Sequence, residues 1–314
     1  MSLMPHVAVK GFFNLCHVAV ILMKRVNRRL CFLDYALLAL CCGAVAMLVW
    51  KMQAGREYDW QWGVIWQYFF RHDAQEGWVA NLLMQGLLTT IRLSIWATLL
   101  AVVFGTLAGL ARVSRSRLSR MLARTYVETV RNLPPLVLVF IFYFFVSSQV
   151  MPASGLEDAL YGLSTWQRQV VEFLFGPVQG VAAFAAGALT LAIYEGAYIA
   201  EIVRAGIESV EHGQWEASAS LGFGRFDQLR LVVLPQALKV IIPPLAGQFI
   251  STIKDSAIVS VISVQELTFQ GLELMASTFR TFEVWTTIAV LYLVLTLLCS
   301  YAARRVEARL RWQT

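Results

Sequence analysis

Charge is scarce in this 314-residue chain. Only 15% of its residues are charged and 58% are hydrophobic, whereas about 25% charge is usual in a soluble domain. That imbalance excludes an ordinary water-soluble fold and makes lipid the solvent for much of the chain. Lysine is scarcer still: Lys10, Lys24, Lys51, Lys239 and Lys254 are the whole set, and glycine precedes none of them. A phosphate-binding loop needs glycines leading into Gly-Lys-[Ser/Thr], so this chain is not expected to hydrolyse ATP itself. His-Glu-x-x-His and Gly-x-Ser-x-Gly are missing too, which removes the usual zinc-peptidase and serine-hydrolase signatures. Cys16, Cys31, Cys41, Cys42 and Cys299 lie in or beside apolar runs without a Cys-x-x-Cys pair. They read as small packing residues, with no disulfide and no metal site. His6, His17, His72 and His212 are scattered and form no ligand cluster. The apolar stretch 11–23 lacks a small-residue cleavage site, so no signal peptide is expected. No internal repeat supports the inverted-repeat plan of many secondary transporters.

What is present is long apolar runs. Six reach or approach the roughly 20 residues that cross a bilayer as a helix, near 30–50, 85–111, 122–148, 178–204, 236–262 and 284–303. Unpaired backbone is so costly in hydrocarbon that such runs are read as helices, giving an all-α polytopic membrane protein. A barrel would show alternating segments of about 10 residues instead. The net charge of +6 does not point to nucleic acid, because the basic residues cluster beside the spans. Lys10, Lys24, Arg25, Arg28 and Arg29 precede the first run. Arg112, Arg115, Arg117, Arg120 and Arg124 separate the second from the third, and Arg304, Arg305, Arg309 and Arg311 follow the last. With six spans all three clusters fall on one side, and the positive-inside bias makes that side, and both termini, cytoplasmic. The segments 51–84, 149–177 and 263–283 then face outward.

Residues 1–82 read as an N-terminal addition: a cytoplasmic tail, one extra span and an aromatic outer segment. In that segment Trp60, Trp62, Trp66 and Tyr68 suit either an amphipathic helix at headgroup depth or a packing surface. Residues 83–310 form the transmembrane domain, with a short helix or two expected in the outer loop 152–177. The fourth span carries Ala182, Ala183, Ala186, Gly187, Gly196 and Ala200, a small-residue face that permits close helix packing within the chain or between subunits.

The most informative stretch is polar: HGQWEASASLG at 212–222, running on to Leu234 and Pro235. Good helix formers at 214–221, a glycine suited to a left-handed helix end, a resumed helical pattern at 225–233 and a proline opening the next helix describe two short helices meeting at a hinge. Glu216, Ala217, Ser218, Gly222, Val232, Leu234 and Pro235 fall at the spacing of the EAA loop, with Ser218 in place of the second alanine. The segments AYIAEIVR at 197–204, VETVRNLP at 127–134 and KDSAIVSVISVQE at 254–266 extend the likeness. The chain thus resembles the permease subunits of ABC importers, of the polar amino acid type, over roughly residues 83–310. The resemblance implies a type I importer core of five helices in a bacterial inner membrane, with the extra N-terminal helix added. It implies partners as well: an ATPase subunit that binds ATP and Mg, a second permease copy or paralogue, and an extracytoplasmic solute-binding protein. It places Gln214, Trp215, Glu216, Ala217, Ser218, Gly222, Leu234 and Pro235 at the ATPase, with Trp215 as an aromatic anchor. The chain itself needs no cofactor.

Intramembrane charges each demand a partner or an aqueous cavity. Glu128 and Arg131, and Glu201 and Arg204, have the three-residue spacing of helix neighbours and are expected to pair. Glu195 is left over. In the fifth span, Pro243 and Pro244 are expected to interrupt the helix, and Lys254 and Asp255 are adjacent charges that cannot share a helix face. Glu195, Thr252, Lys254, Asp255, Ser256, Ser260 and Glu266 are therefore the candidate translocation pathway, against the alternative of helix pairing between subunits. The functional expectation is passage of a polar amino acid, driven by the partner ATPase. A permease for another small solute (an opine, polyamine or osmolyte) and a passive channel or scaffold are the alternatives.

Overall fold

The computed structural model of the chain describes residues 58, 60–73 and 77–311, together with a few residues between 36 and 47. The expected first span, Asp34 and four of the cysteines lie largely outside them. From Gln61 onward the chain forms one compact unit, which takes in the aromatic segment as well as the spans. That segment holds a single short helix, α1 (Trp62–Trp66), and an antiparallel hairpin, β1 (Phe70–Asp73) and β2 (Gly77–Ala80), registered Phe70 to Ala80 and Asp73 to Gly77. Ile65 is buried with Leu83, Leu267, Leu274, Val284 and Ile288, and the Gln61 N–H donates to Glu283 at 3.0 Å.

Five helical stretches among the described residues are long and apolar enough to cross a membrane: Leu82–Arg112, Pro135–Ser154, Val178–Glu208, Arg225–Ile262 and Thr281–Arg305. The first is helix α2 (Leu82–Arg112), opened by Asn81, whose side chain accepts from Leu82 N–H. The expected span 122–148 is corrected. It divides at Leu133 and Pro134 into an amphipathic helix, α3 (Arg117–Asn132), and a separate span that begins with α4 (Pro135–Phe145) and runs through a wider π turn to Ser154. The cause is local. A residue before proline avoids helical ψ, Leu133 accordingly takes φ −96, ψ 150, and Pro135 is well suited to a first helical turn. Two short helices follow, α5 (Leu156–Tyr161) and α6 (Thr165–Phe175). Trp96 of α2 stacks on Phe175 with ring centroids 5.0 Å apart and donates its indole N–H to the Leu174 carbonyl at 3.2 Å.

Helix α7 (Val181–Glu208) is the axis of the fold and its most buried span. It runs parallel to α2, and the two approach closely because both have small faces. A Cβ added at Gly105 would lie 2.6 Å from the Ile199 Cβ, and one at Gly109 would lie 2.8 Å from the Ala200 carbonyl oxygen. In lipid, where no hydrophobic force draws helices together, such close van der Waals fit is what holds them. The small-residue face expected on the fourth span therefore packs within the chain, and its counterpart on α2 is Ala97, Ala101, Gly105 and Gly109.

After α7 come α8 (His212–Ser220), a turn at Arg225–Asp227, a π-helical stretch Gln228–Val233, and α9 (Leu234–Asp255). The expected break at Pro243 and Pro244 is corrected too, because α9 passes through both prolines unbroken. The irregularity comes later, where Ser256–Ile262 tightens into a 3₁₀ helix ending in left-handed Ser263. Helices α10 (Leu267–Thr278) and α11 (Thr281–Arg311) complete the bundle.

Candidate functional site

Two polar regions carry chemistry, and α7 passes through both. At its C-terminal end the chain turns into α8, which stops by a Schellman motif: Phe223 N–H donates to Ser218 O at 3.2 Å and Gly222 N–H to Ala219 O at 3.0 Å. Gly222 sits at φ +83, a conformation costly to any residue with a Cβ. The hinge glycine is thus placed where the sequence required one. Helix α8 has two faces. Gln214, Glu216, Ala217 and Ser220 are exposed, and beside them Leu221 and Phe226 remain 75% and 68% exposed. Ser218 is buried, its hydroxyl donating to the Trp215 carbonyl at 2.9 Å.

Trp215, expected as an aromatic anchor at the ATPase, is half-buried against the chain's own core. Its ring packs against the cluster of Ile207, Val233 and Ala237, and the Arg225 guanidinium lies over it at 3.8 Å. A large apolar ring beside the chain's own core gains more by covering that core than by facing water. Leu234 packs in the same cluster, Pro235 is exposed, and Gln236 donates to Gln214 at 3.3 Å, tying α8 to the start of α9. Sequence reasoning missed Leu221 and Phe226. Apolar residues flanking a hinge glycine in an otherwise polar turn were the available signal.

About two turns before the end of α7, Glu201 is the hub of a charge network. It accepts from Arg112 in a short ion pair, from Arg204 at 2.5 Å and lies 3.7 Å from Arg131. The Glu201–Arg204 pair is present as expected, but Glu128 and Arg131 do not pair. Glu128 lies 3.9 Å from Arg112 and from Arg124 instead, because α3 turns Arg131 toward α7.

Deeper along α7, Glu195 is fully buried and no arginine or lysine reaches it among the described residues. Gln248 of α9 donates to one carboxylate oxygen at 2.5 Å, and the other oxygen has no hydrogen-bond donor. Asp255 lies within hydrogen-bonding reach of Glu195, and two carboxyls this close favour a shared proton over two adjacent charges. Thr252 lines the same place, donating its hydroxyl to the Gln248 carbonyl at 3.0 Å. Glu195, Thr252 and Asp255 are thus brought together. Lys254 faces away, exposed. Ser256 and Ser260 are buried and turn their hydroxyls back onto Ile253 O and Ala257 O. Gln248 was missed from the sequence, although an amide in the middle of an apolar span was the signal.

Glu266 stands apart from this group. It caps α10, accepting from Phe269 N–H at 2.9 Å and Tyr292 OH at 2.7 Å, with Thr90 at 3.3 Å. Burial pushes its carboxyl above the ordinary glutamate range, against the pull of those hydrogen bonds.

Residues 101–312 match the family of binding-protein-dependent transport system inner membrane components. The chain belongs to that family. The permease is 34% identical over 230 residues to the glutamine transport system permease protein GlnP of Escherichia coli (strain K12), covering 73% of this chain and 93% of the relative. It is equally identical, over 73% of this chain and 94% of the relative, to the probable glutamine ABC transporter permease protein GlnM of Bacillus subtilis (strain 168). Among solved structures, an amino acid ABC transporter crystallised with histidines aligns with a TM-score of 0.58 at 35% identity, over 73% of the permease and 94% of that chain. The inward-facing MetNI methionine transporter aligns at 0.55 and 19% identity over 73% and 96%, which shows the common fold. The permease therefore has the type I ABC importer fold, and its helices make it a multi-pass inner membrane protein.

Proposed function

We propose that this permease passes a polar amino acid across a bacterial inner membrane, driven by a separate ATPase subunit that carries ATP and Mg. The exposed face of α8 (Gln214, Glu216, Ala217) with Leu221 and Phe226 docks that ATPase, and Gly222 sets the angle of the docking segment. Trp215, Ser218 and Leu234 act from behind, welding α8 to α7 and α9 so that displacement of the knob moves whole spans as rigid bodies. The observation that carries this reading is the Schellman-capped knob on the same side as the arginine-rich turn after α2. That side is cytoplasmic by charge bias, and both termini go with it. A gated path between two sides needs two facing halves, so a second permease, a copy or a paralogue, completes the pore, and an extracytoplasmic solute-binding protein delivers the cargo.

Within the membrane, Glu195 and Asp255, with Gln248 and Thr252, receive the cargo's ammonium. A buried carboxylate oxygen lacking a donor is costly, and a cation passing through relieves that cost. Ser256, Ser260 and Lys254 border this group, while Glu266 supports it at a distance by fixing α10. The test is uptake and ATPase copurification for Gly222→Asp and Glu216→Lys. Both variants are expected to insert normally and to lose uptake. Unchanged uptake by both would refute the docking assignment.

A further inference from the structure

Behind α8, on the face turned away from the docking residues, lies a hollow of about 470 Å³ between the end of α2, the start of α3 and the Trp215 ring. Its lining carries Arg112, Arg120 and Arg225 against Glu208, with His212, which is paired to Glu216, at its edge. Arg112 and Glu208 are already paired, with Glu201 and Arg204 respectively, but Arg120 and Arg225 make no ion pair among the described residues. Exposed Arg115 stands near enough to Arg225 for the two charges to repel. Two arginines that line one hollow without an ion pair, Arg225 held over an indole and Arg115 adding a third positive charge nearby, make an arrangement that an anion would relieve.

Its depth identifies the anion. Arg112 ends one span and Arg225 begins another, so the hollow sits at the boundary between hydrocarbon and cytosol. Beside it, α3 exposes Leu118, Met121 and Leu122, each about two-thirds accessible, on the same helix as Arg117, Arg120 and Arg124. Basic residues flanking an exposed apolar strip describe a helix lying at a lipid surface.

We propose that this hollow binds the phosphate of an anionic phospholipid of the cytoplasmic leaflet. Arg120 and Arg225 clasp the headgroup, Arg115 lies beside it, and the acyl chains run over Leu118, Met121 and Leu122. Because Arg225 is stacked on Trp215, the bound lipid steadies the rear of α8. The proposal rests on the importer reading only for which side faces the cytosol.

The test is native mass spectrometry of the full permease with phosphatidylglycerol, phosphatidylcholine or inorganic phosphate. The double variant Arg120→Gln, Arg225→Gln is expected to lose about fivefold in phosphatidylglycerol retention per arginine, roughly 30-fold together, with phosphatidylcholine unchanged and Arg→Lys at both positions restoring most of it. Equal retention by wild type and double variant would overturn the site. Displacement of the lipid by inorganic phosphate would overturn the lipid as its source. Loss of ATPase copurification with lipid retention intact would assign the arginines to the protein partner instead. Gly222→Asp separates the two proposals, since it should lose uptake and keep the lipid.

Discussion

Six residues apart on α7, about 9 Å along the helix, two glutamates meet opposite surroundings. Glu201 is ringed by Arg112, Arg131 and Arg204. Glu195 faces Gln248, Thr252 and Asp255 and no arginine or lysine among the described residues. A carboxylate whose charge is matched on every side is held in place by its partners, and breaking such a set is expensive. A carboxylate with an idle oxygen and an acidic neighbour contributes little to holding the helices together, yet it is the group a passing cation would find. The contrast suits the first to a structural role and frames the transport role proposed for the second as a difference that can be measured.

The comparison breaks most visibly at its structural end. Glu201→Ala would leave three arginines at one point without their shared counter-ion. Removing a member of a buried ionic set costs about 3–5 kcal/mol, and because Glu201 keeps 26% of its side chain exposed we expect about 2–3 kcal/mol. Thermal unfolding in detergent would show it as a lower midpoint, and uptake would fall in proportion to surviving protein. A variant as stable as wild type would remove the structural half of the contrast.

Glu195→Gln sharpens the other half. The amide keeps the size and can still meet Gln248, so stability should change by less than about 1 kcal/mol. Uptake should nevertheless drop by about tenfold or more, on the order of one lost charge-assisted hydrogen bond. Asp255→Asn should act in the same direction and less strongly, since Asp255 is only partly buried. The measurement is initial uptake rate against the amount of folded transporter. Variants that lose yield but keep the rate per molecule would return both residues to the structural reading.

These differences explain which features were legible in the sequence. Apolar run length located the spans near 85–111, 178–204, 236–262 and 284–303, because lipid leaves helical backbone no alternative. The knob was legible because Gly222 and the helix signals around it act locally. The break at Pro134 was misplaced because the charges of α3 and the apolar residues of α4 were counted as one run. The continuous passage through Pro243 and Pro244 was missed for the converse reason, since neighbouring helices can sustain a helix that its own backbone bonds would not. Direction across the bundle was hardest to read. Nothing local to Trp215 says that it turns inward, and nothing near Glu266 says that Thr90 and Tyr292, from two other helices, converge on it.

Glu266 makes the last and smallest test of the contrast, because it is a buried carboxylate that was grouped with Glu195 by sequence and parted from it by structure. Its oxygens are occupied by Phe269 N–H, Tyr292 OH and Thr90, so it should behave as a cap, with no role in transport. Burial raises its pKa in the folded state. The ionised form is therefore less favoured folded than unfolded, and stability should decline as pH rises above about 4.3, the unfolded value. Glu266→Gln keeps an acceptor for Phe269 N–H and abolishes that decline. It should match or slightly exceed wild type at neutral pH, by less than about 1 kcal/mol, whereas Glu266→Ala loses the cap and should cost about 1–2 kcal/mol. Uptake per folded molecule should be unchanged in both, measured beside Glu195→Gln under the same conditions. If Glu266→Gln instead slows transport as Glu195→Gln is expected to, the polar path extends through α10, and the division between holding and passing groups must be redrawn around Tyr292.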